Sequence, residues 1–130
     1  MCNLTFCEGV MMDLIYDLLV VLHFIGMAGL VGGMIVGVTE KPLRIKKPAL
    51  HSGLLVLLAG IFLVIVNSVQ HASDSSVEMI DHGKIGVKLL VVILILILGF
   101  KNLAKSEVAK RTYMTMLGLS LLNILIAVFW

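Results

Sequence analysis

The chain has 130 residues, of which 60% are hydrophobic and 14% are charged, and its formal net charge is +2. A soluble domain carries about 25% charged residues, and a core of this size cannot bury so much apolar surface in water. The composition therefore excludes an ordinary soluble domain, and we expect the surplus apolar surface to face lipid. The charge distribution matters more than the small net charge.

The start of the chain differs from a cleavable signal peptide. The residues before and at the beginning of the first apolar stretch include Glu8, Asp13 and Asp17 but no Lys or Arg, whereas a signal peptide begins with positive charge. We therefore expect the first apolar stretch to remain in the mature protein. Residues 1–10 fit either a native segment or an upstream translation start, and the sequence favours neither.

The cysteine content limits the chemistry that the body of the protein can perform. Cys2 and Cys7 both precede the first apolar stretch. A disulfide framework and a thiolate metal site are therefore excluded from the rest of the chain. A local bridge between Cys2 and Cys7 is compatible with the sequence.

Apolar stretches separated by short polar connections occupy residues 14–38, 48–69, 83–100 and 112–130. We expect each to be a helix, because about 20 residues rising about 1.5 Å each cross a hydrocarbon core of about 30 Å, and unpaired backbone is not tolerated in lipid. The sequence thus predicts an all-α fold, a four-transmembrane-helix bundle that forms a single integral membrane domain over residues 1–130.

The connections carry signals of their own. Pro48 suits the first turn of the second helix, where a missing N–H removes no hydrogen bond. Residues 70–76 form a polar loop whose Ser and Asp side chains can cap an amphipathic lead-in over residues 77–82. The basic segment 101–111 is expected to continue the third helix into the headgroup region.

All Lys and Arg residues except Lys84 and Lys88 lie in two polar connections, residues 40–47 and 101–111. Basic loops face the cytoplasm in multi-pass membrane proteins. We therefore expect a multi-pass protein of the cell membrane with both basic loops in the cytoplasm and both termini on the outer side.

Small residues form a ridge along the first helix. Gly29, Gly33 and Gly37 repeat every four residues, with Ala28 and Gly32 on an adjacent line. Such ridges let another helix approach closely in a membrane. Packing against the second or fourth helix of the same chain is the favoured interpretation. A homodimer face and room for a flat cofactor or quinone ring are the alternatives.

Each predicted helix supplies polar side chains to the same, outer half of the membrane. A shared outward-opening polar cavity explains this pattern more simply than four helices that each carry polar residues for unrelated reasons. A hydrogen-bonded clasp between the helices would give the same pattern. The ligand-binding candidates are Asp17, His23, Asn67, Lys88 and Asn123.

Lys88 lies several residues inside the third helix, where a charged side chain is costly unless it reaches the interface, pairs with an acid or lines a wet cavity. Asp81 and Lys84 share its helix face, so pairing of those two residues at the surface is one expectation. Binding of an anion or substrate by Lys88 is the other.

His23, in the outer half of the first helix, is either a hydrogen-bonded structural group or a haem or metal ligand. The second possibility makes His71 and His82 the candidate partners, whereas His51 lies near the opposite interface and is excluded. The eight methionines form no Met-x-x-Met array, so copper binding through methionine alone is not expected.

Motifs of several enzyme and binding classes are missing from the sequence. It holds no paired carboxylates, no Ser/His/Asp arrangement, no Gly-rich phosphate loop and no nucleic-acid-binding patch. The basic loops fit contacts with lipid headgroups instead. We therefore favour a protein that is not an enzyme and has no nucleic-acid partner.

Two segments carry recognisable patterns. Residues 22–33 have a Leu-His start followed by small residues and Gly-Gly, and in residues 82–102 a lysine enters a Leu/Val-rich run. They resemble the first helix and a later helix of the copper-resistance D family of membrane domains and of the related membrane protoporphyrinogen oxidases. The resemblance implies roles for His23 and Lys88 and makes haem, porphyrin or copper chemistry an expectation. Leu30 stands where those domains commonly have tryptophan, and they usually belong to longer chains.

The whole chain is also similar to small four-helix membrane proteins of actinobacteria, in which residues 48–51 and 81–84 have counterparts. That similarity implies no activity. The leading hypothesis is an accessory or small-ligand-binding membrane component with an outward-facing polar pocket. The alternatives are a haem- or copper-associated redox or transport protein, and a structural subunit of a larger membrane complex or homo-oligomer.

Overall fold

A computed structural model describes residues 3–130. These residues form four α-helices: α1 (Leu4–Val38), α2 (Lys47–Ser73), α3 (His82–Asn102) and α4 (Lys110–Phe129). Each is long and apolar enough to cross a membrane, so the predicted all-α fold with four candidate membrane spans is confirmed. Cys7 is disulfide-bonded, and Cys2 lies outside the described residues.

The helices start earlier than the hydropathy of the sequence predicts. α1 begins at Leu4 instead of residue 14 and has 35 residues, which corresponds to about 52 Å of helix. The hydrocarbon core is only about 30 Å thick, so part of α1 extends beyond it. Pro48 lies in the first turn of α2, as expected.

The segment between α2 and α3 is held by local hydrogen bonds. The hydroxyl and the backbone N–H of Ser76 stabilise the Asp74 carboxylate and lower its pKa. Asp81 caps α3, because its Oδ1 accepts hydrogen bonds from the backbone N–H groups of Gly83 at 2.8 Å and Lys84 at 3.3 Å. The expected ion pair between Asp81 and Lys84 does not form. Within residues 3–130, the ion pair that does form joins Lys46 and Glu40.

The two basic connections lie side by side at one end of the molecule. The backbone N–H of Val108 donates to the Leu43 carbonyl oxygen at 2.8 Å, and Arg44 Nε donates to the Ser106 carbonyl oxygen at 2.6 Å. α3 ends at Asn102. The expectation that the third helix continues through residues 101–111 is therefore wrong, because this chain segment turns back to pair with the other basic loop.

The core lies in the half of the molecule near the basic loops. α1 packs most extensively against α2 and least extensively against α4, while α3 packs against α2 and α4. The largest fully buried side chains are Leu30, Leu50, Val56, Ile95, Val108, Met116 and Ser120. Burial of these side chains joins all the helices at this end.

The glycine ridge of α1 packs within the chain. An added Cβ at Gly33 would lie 3.1 Å from the Ala49 Cβ, and one at Gly29 would meet Ser52. Gly37 faces the Tyr113 hydroxyl, which donates to the Met34 carbonyl oxygen at 2.8 Å. The ridge therefore serves the close approach of α2 and α4 to α1, as the favoured interpretation predicts.

Candidate functional site

A cavity of about 970 Å³ lies between the helices in the half opposite the basic loops. Its walls come from α1 to α4 and are mainly aliphatic. Small-molecule sites have this size and this mostly apolar character, with a few polar groups that orient the ligand. The polar side chains that line the cavity include His23, Lys88 and Asn123.

The cavity follows from the way α1 and α4 diverge. Met34 contacts α4 through Tyr113 and through Ser120, whose Oγ lies 3.9 Å from the Met34 sulfur. Beyond these contacts α4 contributes cavity-lining residues near its C-terminal end. The lining includes Phe24 of α1 and Val128 of α4, which are 67% and 69% exposed. The cavity is therefore open rather than enclosed, with exposed side chains of both α1 and α4 in its lining.

His23 is oriented by the backbone of α2. Its Nδ1 lies 3.0 Å from the Val56 carbonyl oxygen, and because a carbonyl oxygen only accepts, Nδ1 must carry the proton and donate. The neutral ring then has its lone pair on Nε2. Gly60 borders the ring, since an added Cβ there would lie 3.4 Å from the His23 Cε1, an ordinary van der Waals distance.

Lys88 lines the same cavity and is partly buried. No acidic side chain lies within ion-pair distance of its Nζ in the described part of the chain. The His23 ring belongs to the same lining. The structure thus brings these two predicted residues together and leaves the ammonium group without a compensating carboxylate from residues 3–130.

Asn123 gives the clearest indication that the site binds a ligand. Its side chain is 5% exposed, and its Oδ1 is the buried side-chain oxygen for which the described residues provide no hydrogen-bond partner. Leaving a buried acceptor unsatisfied costs about 1–3 kcal/mol. Asn123 lines the cavity, and a half-turn of its side-chain amide, which exchanges Oδ1 with Nδ2, would bring this buried oxygen within reach of a bound molecule.

The other predicted candidates lie outside the cavity lining. Asn67 holds the connection before α3: its Nδ2 donates to the Glu78 carbonyl oxygen, and its Oδ1 accepts from the Ile80 N–H, both at 3.2 Å. His71 Nδ1 lies 2.7 Å from the Val77 carbonyl oxygen. These two residues form a local clasp that ties the connection between α2 and α3 to the end of α2, which differs from the clasp between helices that was the alternative to a shared cavity.

Asp17 is exposed on α1 and His82 is exposed at the start of α3. Neither lines the cavity. His23 is therefore not brought together with His71 or His82. Among residues 3–130, no group of three or more His, Cys, Asp or Glu side chains is arranged to hold a metal ion.

Two features of the site were missed in the sequence. Gly60 accommodates the His23 ring, and its seven-residue spacing from Gly53 is the signal that places both glycines on one face of α2. Ile80 lines the cavity from the connection between α2 and α3, and nothing in its sequence context indicates that role.

No protein-family model, curated protein or solved structure matches this chain.

Proposed function

We propose that this multi-pass membrane protein binds a small amphiphilic ligand in the cavity between α1 and α4, as a non-enzymatic accessory component. The observation that carries this proposal is the unpartnered Asn123 Oδ1, which is buried at the wall of a large apolar cavity. A bound molecule that donates a hydrogen bond there removes the cost of the unsatisfied acceptor. The aliphatic walls favour an apolar body for that molecule.

The proposal includes an orientation in the cell membrane. The paired basic loops lie at one end, and the cavity lies toward the other. By the tendency of basic loops to stay in the cytoplasm, both termini are on the outer side and the cavity is in the outer half of the bilayer. A ligand then reaches it from the outer leaflet or from outside the cell.

Filling the cavity tests the binding function directly. The Ala127→Phe substitution adds a ring to the cavity wall, whereas Leu125→Phe adds one on the same helix at a side chain that is 51% exposed and not part of the lining. Binding of an environment-sensitive fluorescent fatty acid to the purified protein in detergent is the readout. We expect Ala127→Phe, but not Leu125→Phe, to reduce the fluorescence increase, because the added ring takes up part of the cavity. Equal binding by both variants would contradict the proposal.

A haem-associated function is the second candidate, and the His23 geometry supports it. A metal-ligating histidine normally donates its other ring N–H to a carbonyl or carboxylate oxygen, and His23 Nδ1 meets the Val56 carbonyl oxygen in this way. The fit is limited to one histidine that would hold the group, because His71 and His82 are not in the lining. Haem bound here would supply redox chemistry, with His23 holding the iron through Nε2.

The absorption spectrum of the protein purified from cells supplied with haem separates the two candidates. A Soret band that disappears in His23→Ala and persists in His82→Ala supports the haem function. A colourless protein that still binds the fluorescent fatty acid supports the first proposal. Copper has weaker support, since a lone imidazole is a poor copper site and the described residues add no cluster of ligands.

The third hypothesis is a structural subunit of a larger complex or homo-oligomer, docked through the glycine ridge. Gly29, Gly33 and Gly37 already face Ser52, Ala49 and Tyr113 of the same chain. A partner would therefore have to use another face of the molecule. No contact of the described residues favours this function over ligand binding.

A further inference from the structure

The polar groups of the cavity also indicate which kind of amphiphile it takes. Resting on the proposed function, we infer that the ligand is an anionic membrane lipid whose head also carries a hydroxyl group, the chemistry of a phosphodiester joined to a polyol. Its phosphate pairs with Lys88, its hydroxyl donates to Asn123 or His23, and its acyl chains occupy the aliphatic part of the cavity.

The requirement for an anion comes from Lys88. An ammonium group in a low-dielectric environment is costly unless an opposite charge or several hydrogen bonds compensate it. In the part of the chain that the structure describes, the Lys88 Nζ has neither an ion pair nor a hydrogen-bond partner. The other polar side chains of the lining are the His23 imidazole, the Asn123 amide and the Tyr16 phenol, and none of them is a carboxylate that would compensate the charge.

The requirement for a hydroxyl comes from hydrogen-bond acceptors in the lining, which need a donor. Asn123 Oδ1 and the lone pair on His23 Nε2 are both acceptors, and the first is buried and unpartnered among residues 3–130. A phosphodiester or a carboxylate offers only acceptors, so an anionic head without a hydroxyl leaves both groups unsatisfied. A head that combines a negative charge with O–H groups satisfies both sides of the cavity.

The requirement for a lipid comes from the walls and the opening. The lining is mainly aliphatic, and the cavity is open rather than enclosed, with Phe24 of α1 and Val128 of α4 among its most exposed lining residues. These side chains belong to the candidate membrane spans, so the opening faces acyl chains. A lipid therefore enters laterally without transferring its chains through water.

Four molecules separate the contributions of charge, hydroxyl and chain. Phosphatidylglycerol has all three features, phosphatidylethanol has the same charge without the hydroxyl, phosphatidylcholine has no net charge, and glycerol 3-phosphate has no chains. Native mass spectrometry of the full chain in detergent measures the binding of each. We expect phosphatidylglycerol to bind about tenfold tighter than phosphatidylcholine, at the low end for hydrogen bonds to a charged group. We also expect a preference of about threefold over phosphatidylethanol.

Substitutions assign these preferences to residues. Lys88→Met removes the preference for anionic lipid, whereas Lys84→Met, on the same helix but outside the lining, retains it. Asn123→Ala removes the preference for phosphatidylglycerol over phosphatidylethanol and leaves that for anionic lipid. Lys88→Gln, which removes the charge but keeps a polar end, serves if the Met variant does not fold.

The outcomes distinguish this inference from the proposed function. Equal binding of the three lipids, or lipid preferences unchanged in Lys88→Met and Lys88→Gln, overturns the inference while the ligand-binding function stands. Binding of glycerol 3-phosphate as tightly as of phosphatidylglycerol also overturns it, because the ligand would then be a soluble phosphate ester. If none of the lipids binds, and Ala127→Phe does not change the binding of the fluorescent fatty acid, the proposed ligand-binding function is contradicted as well.

Discussion

The close contact of α1 with α2 at Gly26 leads to a quantitative prediction for Gly26→Ala. An added Cβ would lie 2.9 Å from Val56 Cγ2 and 3.0 Å from both the Ser52 carbonyl oxygen and the Val56 backbone nitrogen. Ordinary contacts between carbon atoms are about 3.5–4.0 Å. Two of the three atoms belong to the backbone of α2, so a rotamer change cannot relieve the overlap and the helices must separate.

The expected loss of stability is the balance of two effects. Overpacking of a well-packed interior costs about 1–3 kcal/mol, and replacing a helical glycine by alanine recovers at most about 1 kcal/mol. With full recovery, the free energy of unfolding should therefore fall by about 0–2 kcal/mol, and the overlap with backbone atoms favours the upper part of that range. Gly32→Ala is the matched control on the same helix, because an added Cβ there meets nothing within 4 Å, and it should be neutral or slightly stabilising.

Equilibrium unfolding in mixed micelles, followed by circular dichroism while the fraction of sodium dodecyl sulfate rises, measures both variants. The separation of α1 from α2 should also weaken the hydrogen bond from His23 Nδ1 to the Val56 carbonyl oxygen, which is 3.0 Å long. Equal stability of Gly26→Ala and Gly32→Ala would refute the helix packing described above.

Three further predictions concern the α1–α4 contact, the clasp and the orientation. Tyr113→Phe should lower the free energy of unfolding by about 0.6 kcal/mol, an average value for a hydrogen bond between membrane helices, and an unchanged value would count against the bond to Met34. Asn67→Ala should speed hydrogen exchange at the Ile80 amide roughly tenfold through loss of its acceptor, unlike Ser68→Ala, whose hydroxyl bonds within α2. In a chain whose own cysteines are replaced by serine, Ser75→Cys should react with an impermeant maleimide on intact cells, and labelling only after lysis would reverse the proposed topology.

Much of the fold could be read from local properties of the sequence. The length of each apolar stretch and the polar residues that separate them predicted the helices to within a few residues, except at the start of α1. There the polar residues among residues 4–13 lower the hydropathy without breaking the helix, since no proline or turn sequence interrupts it. Hydropathy locates membrane spans, whereas a helix ends where its backbone hydrogen bonds are interrupted.

The candidate site could be predicted only in part. Three of the five ligand-binding candidates, His23, Lys88 and Asn123, line the cavity, while Asn67 belongs to the clasp and Asp17 is exposed. Membrane depth, which the sequence provides, is similar for these residues. The direction in which each side chain points depends on the rotation of its helix, which contacts with the other helices determine.

The sequence by itself determined that this chain forms apolar helices able to cross a membrane, because the length of an apolar stretch and the position of its flanking charges are properties of neighbouring residues. Only the tertiary structure decided that α1 and α4 meet near the basic loops and diverge beyond them. That divergence creates the cavity and leaves Lys88 and Asn123 without partners among residues 3–130. The angle between two helices depends on side chains that are far apart in the chain, such as Met34 and Tyr113.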